Sequence, residues 1–117
     1  MFVSKAEFLA DVRAACTELE QVLANRDERT LAETTLPGQS WTSKDLLAHL
    51  IGYDQAVRKA IADIRSGRKW TWPWTAPRFD AWNESQVAPR RSRPYAAVRE
   101  ELDASRADLL AELERWP

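Results

Sequence analysis

The stretch Trp41-Thr42-Ser43-Lys44-Asp45-Leu46-Leu47-Ala48-His49-Leu50-Ile51-Gly52-Tyr53-Asp54 decides the fold. Thr42 stands where a side-chain oxygen caps a helix, and Asp45 brings negative charge to the end that favours it. Trp41 precedes the cap, a position from which an aromatic ring staples onto the first turn. Leu46, Leu47, Leu50, Ile51, Val57, Ile61 and Ile64 then recur at three- and four-residue spacing, which predicts one long helix with a single buried face. Gly67 supplies its stop, with Arg65 and Arg68 beside the carbonyl end.

The same logic works outward in both directions. Upstream, Ser4 and Glu7 form a capping-box pattern, and Phe8, Val12, Ala15, Cys16, Leu19, Val22 and Leu23 make one apolar stripe. A helix over 4–25 follows, fraying toward Ala32, with Cys16 as a small core residue. Leu36-Pro37-Gly38-Gln39-Ser40 is turn chemistry between the two helices. Downstream, Pro73 and Pro77 exclude a regular helix from 68–78. Phe79 to Val87 reads as two short helical turns. The last long helix starts near Ser92-Arg93-Pro94 and buries Tyr95, Val98, Leu102, Leu109, Leu110 and Leu113. The prediction is an all-α antiparallel bundle of three long helices and one short one, a single domain over 1–117.

Composition bounds the function. Seventeen basic against eighteen acidic residues, a net charge of −1, argue against a duplex-DNA surface. The same balance argues against stacking of the Trp70–Trp74 loop on single strands. One cysteine excludes an intramolecular disulfide, and one histidine excludes an all-His metal cage from one chain. Three glycines leave no glycine-rich phosphate loop. Neither a membrane-length apolar run nor a secretory leader pattern is visible, so cytoplasmic residence is expected.

Two polar residues fall on apolar faces. Asp54 lies four residues after Leu50 and three before Val57, near the centre of its stripe. Arg106 follows Leu102 by four and precedes Leu109 by three, with Arg99 one heptad earlier. An unpaired carboxylate in a core costs several kcal/mol, so Asp54 either pairs with Arg106 or Arg99 or faces a polar pocket. In the second case His49 and Tyr53, one turn apart at the edge of that face, share the wall with it. His49 has the ionisation suited to acid–base work near neutrality. Trp70, Trp72 and Trp74 either plug the end of the bundle or roof such a pocket.

Three patches resemble the DinB/YfiT-like superfamily of helical bundles. The 41–54 stretch is similar to its second-helix signature. Phe79-Asp80-Ala81-Trp82-Asn83-Glu84 and the opening Ser4-Lys5-Ala6-Glu7-Phe8-Leu9 are similar to the ClbS/DfsB branch. The resemblance implies a four-helix bundle. Many members hold a divalent metal with three residues, typically His, and His49 matches the first of these. Without a second histidine the chain is expected to bind no metal and no cofactor. Metal-binding members include thiol-dependent transferases and isomerases acting on mycothiol, bacillithiol or glutathione conjugates. The ClbS/DfsB branch instead inactivates reactive metabolites in self-protection.

The expected function is accordingly to bind a reactive small molecule between helices, with hydrolysis as the candidate reaction. His49, Asp54 and Tyr53 are the candidate catalytic residues. Trp72, Trp74, Trp82 and Arg106 are the candidate ligand wall, and the resemblance adds Asn83 and Glu84. The alternatives are a relative of the metal-dependent thiol transferases with a degenerate metal site, or a dimer that only sequesters ligands. A fourth helix is missing from this chain or supplied by a partner, so a homodimer is expected.

Overall fold

The computed structural model describes residues 4–70 and 78–116. The described residues form helices α1 (Lys5–Ala24), α2 (Glu28–Glu33), α3 (Ser43–Arg65), α4 (Phe79–Val87) and α5 (Tyr95–Arg115), with a 3-10 turn at Ala88–Arg90. No strand occurs among them; Thr35 and Thr42 make one isolated antiparallel bridge. The all-α bundle expected from the sequence therefore stands, with one helix more than the periodicity shows. The segment expected to fray is instead interrupted and restarts as α2, because the Asp27 side chain accepts from the Thr30 N–H and caps a new turn.

Local chemistry sets the boundaries. Ser4 Oγ accepts from the Glu7 N–H at 3.1 Å. At α3 the capping box is complete: Thr42 Oγ1 accepts from the Asp45 N–H, and Asp45 Oδ2 accepts from the Thr42 N–H, both at 3.1 Å. Past the end of α3, Gly67 takes φ +73°, the left-handed conformation that lets the chain leave the helix. Pro94 stands at the N-cap of α5, just ahead of the first turn in which it was expected.

The core centres on α3, which packs chiefly on α5 and then on α4. Leu47, Ala48 and Ile51 of α3 meet Val98, Leu102 and Tyr95 of α5, Val87 of α4 and Leu31 of α2. The α1 stripe is only partly covered. Leu9 and Leu23 are buried, whereas Phe8 is 45% and Val22 57% exposed, and Cys16 is half-buried. On α3, Ile64 is also exposed, and on α5 Leu109, Leu110 and Leu113 are half-buried. These helix ends lie where α1 makes few contacts with its neighbours, so apolar periodicity overstates their burial.

Two contacts fix the helices around α3. Lys44, nearly buried, donates from Nζ to the Arg91 carbonyl at 2.8 Å and the Arg93 carbonyl at 2.7 Å. It thereby ties the start of α3 to the connection before α5. Gly52 lets α4 approach closely: a Cβ there would stand 2.5 Å from Gln86 Cγ and 2.8 Å from Gln86 Cβ. No helix among the described residues is long and apolar enough to cross a membrane.

Candidate functional site

The turn between α2 and α3 builds one side of a cleft. The Leu36 N–H donates to the Trp41 carbonyl at 2.7 Å, the Gln39 N–H donates to the Leu36 carbonyl at 3.0 Å, and Gly38 takes φ +71°. This closed turn sets Trp41 opposite α4. The cleft has a volume of about 480 Å³, and Gln39, Ser40 and Trp41 face Asp80, Asn83 and Glu84 across it. Asn83 is 7% exposed, and its amide oxygen is buried with no hydrogen-bond partner among the described residues. Such an orphan costs about 1–3 kcal/mol unless something donates to it. Glu84 accepts two hydrogen bonds from Arg91, one of them at 3.0 Å from Nη2, and these bonds hold its carboxyl below the usual range.

Behind this wall lies a row of rings. The Trp41 and His49 centroids are 5.6 Å apart, tilted at 43°, and those of His49 and Tyr53 are 6.2 Å apart, edge-on at 60°. His49 Nδ1 is buried without a partner among the described residues. Tyr53 is 38% exposed. His49 and Tyr53 are thus ring neighbours one turn apart on α3, and Trp41, on the other side of His49, lines the cleft.

Asp54 sits elsewhere. It is 3% exposed and accepts from Arg106 Nε at 2.7 Å and from Ser105 Oγ at 3.3 Å. Burial lifts its carboxyl above the usual range, while the Arg106 charge and the two hydrogen bonds pull it back. Of the two arginines offered by the sequence, Arg106 is the partner. Arg99 is instead engaged by Glu20 at 2.7 Å and Asp103 at 3.1 Å. Residues five apart on a helix project about 140° apart, so His49 and Asp54 do not share one wall. Arg106 is the ion-pair partner of Asp54, and it also lines a separate hollow with Cys16, Leu19 and Leu110.

The remaining candidates divide. Trp82 is half-buried on α4 beside Asn83. Trp72 and Trp74 lie outside the described residues. Asp80, Gln39 and Ser40 line the cleft although the sequence singles out none of them; the turn signal at Leu36–Ser40 marks the place but not its use.

A scan against protein-family models matches residues 5–117 to the mycothiol maleylpyruvate isomerase N-terminal domain. The chain belongs to that family. The family lies within the DinB/YfiT-like superfamily, in agreement with the helical architecture. Searches of curated proteins and of solved structures returned no match. The superfamily's metal finds no fitting donor set. His49 is the chain's single histidine, its ring neighbours are aromatic, and among the described residues no three His, Cys, Asp or Glu side chains converge.

Proposed function

We propose that this member of the mycothiol maleylpyruvate isomerase N-terminal family binds a small molecule, without metal or cofactor, in the cleft between Trp41 and Asn83. One observation carries the reading: a buried amide oxygen with no partner on the wall of a cleft of ligand size. Asn83, Asp80 and Glu84 present acceptors, so the ligand is one that donates, through hydroxyl or amine groups. The Trp41 ring offers it an apolar face. The family name directs the choice of ligand to mycothiol and its S-conjugates.

A second reading, ClbS/DfsB-type hydrolytic inactivation of a reactive metabolite, is favoured by the position of Asn83 and Glu84 on the cleft wall. In that reading His49, with its free Nδ1, is the base, Tyr53 orients it, and Asp54 holds α3 against α5 through Arg106. The bundle acts as one domain over 1–117, as a cytoplasmic homodimer. The apolar hollow formed by Phe8, Leu9, Leu113 and Trp116 supports self-association. A monomeric mass by light scattering at micromolar concentration removes the dimer from the proposal.

Calorimetric titration with reduced mycothiol and with its S-methyl conjugate tests the main reading. Binding should survive EDTA and weaken at least tenfold in Asn83→Ala. No heat at millimolar ligand, loss of binding on chelation, or wild-type affinity in Asn83→Ala would each overturn it. Turnover of an electrophilic probe that vanishes in His49→Phe would decide for the second.

A further inference from the structure

A second cleft, at the opposite side of the 36–41 turn, has a different chemistry. It lies between α1, α2 and the start of α3 and has a volume of about 500 Å³. Leu19, Val22, Leu23, Leu31 and Leu46 line it, with hydroxyl side chains of Thr30 and Ser43 among the rest. Its floor is the core itself, since Leu23 and Leu31 belong to the buried cluster. Val22 on its lining is 57% exposed, so an apolar side chain is left facing water at the edge of an apolar hollow.

One cation lines this cleft. Arg26 is exposed, and among the described residues its guanidinium makes neither an ion pair nor a side-chain hydrogen bond. The acidic and basic neighbours are otherwise occupied. Asp27 caps α2 by accepting from the N–H and Oγ1 of Thr30, both at 3.3 Å, and Arg29 pairs with Glu33 at 2.9 Å. An apolar chamber with one free guanidinium at its rim is complementary to a molecule with an apolar tail and one anionic head.

We propose that this cleft is a binding site for small amphiphilic carboxylates. The acyl tail lies over Leu19, Leu23 and Leu31 and displaces water chiefly from the exposed Val22, and the carboxylate is held by Arg26. The volume falls within the range of about 300–1,000 Å³ that small-molecule sites occupy. The site is separate from the Trp41–Asn83 cleft and does not depend on the function assigned there.

The test is calorimetry on the full chain with decanoate, decan-1-ol and decyltrimethylammonium, each below its micelle concentration. Decanoate should bind about tenfold more tightly than decanol, the increment of one charge-assisted contact, and the cation should bind most weakly. Arg26→Gln, an exposed change that leaves the core intact, should abolish the preference for decanoate over decanol while keeping tail binding. Val22→Trp should block both ligands by filling the chamber, with the helical circular dichroism unchanged. Equal affinity for decanoate and decanol, or a preference that survives Arg26→Gln, would overturn the proposal. So would a dimer that Val22→Glu dissociates in a chain that takes up no decanoate, because the occupant would then be a second copy.

Discussion

Two of the sets of polar groups buried around α3 are built in opposite ways. Asp54 has an arginine and a serine directed at it from α5. Asn83 and His49 each keep a buried polar atom that nothing among the described residues satisfies. A satisfied cluster holds a bundle together and resists change. An unsatisfied one costs stability in the resting protein and finds its use when something else arrives. The sequence marks Asp54 as the conspicuous residue, an acid in the middle of an apolar stripe. The proposed binding role rests instead on the orphaned amide across from Trp41.

The sharpest way to break that contrast is Arg106→Leu. It strands the Asp54 carboxylate in the core and should cost about 3 kcal/mol at neutral pH, the lower end for a broken buried pair because Arg106 is itself a quarter exposed. Urea unfolding measures it, and a loss under 1 kcal/mol would mean that water reaches Asp54. Next comes Gly52→Ala. The new methyl group meets Gln86 along its stem as well as at its tip, so a change of the amide rotamer alone does not relieve it and α4 must move, at a net cost of about 1–2 kcal/mol after the gain in helix propensity. Unfolding and mycothiol titration together report whether displacing α4 also opens the cleft.

A smaller effect is graded by pH. Burial raises the Asp54 carboxyl, so the folded chain keeps that proton to higher pH than the unfolded chain does. Stability from this group therefore falls as pH rises from the ordinary aspartate range, near about 4, through the raised value. Asp54→Asn should gain on the wild type over that interval. A wild type that instead gains stability on Asp54→Asn as pH rises would show that Arg106 outweighs burial. Smallest of all are the changes at the orphans. Asn83→Ala and His49→Phe should leave the melting temperature unchanged or raise stability by up to about 1 kcal/mol. A drop of more than about 1 kcal/mol in either variant would reveal a structural partner and dissolve the contrast.

Much of the bundle is legible in the chain because its signals are local. Thr42 with Asp45, the glycine after α3 and the proline before α5 each act within a turn; the first two appear where their chemistry predicts, and the proline stands one position earlier, at the N-cap. The inward aspartate is equally readable, since 100° per residue places it on the stripe. Its choice of Arg106 over Arg99 is not, because that depends on how α5 is rotated and staggered against α3. Periodicity on α1 misleads for a related reason: Phe8 and Val22 repeat correctly, but burial needs a partner helix at that height. The short α2 escapes because six residues carry too little periodicity to separate a restart from a fray. Asn83 enters the sequence reading only through family resemblance; that its oxygen lacks a partner is a property of three dimensions.

The Lys44 brace has one more implication. A single ammonium gripping the carbonyls of Arg91 and Arg93 meters the length of chain between α4 and α5. Loops elsewhere in a helical protein tolerate extra residues, but an insertion between positions 88 and 94 would slip one grip or both. This joint should thus be the least forgiving of indels in the molecule, and a lysine-acylating reagent that reached it would loosen two helices with one bond.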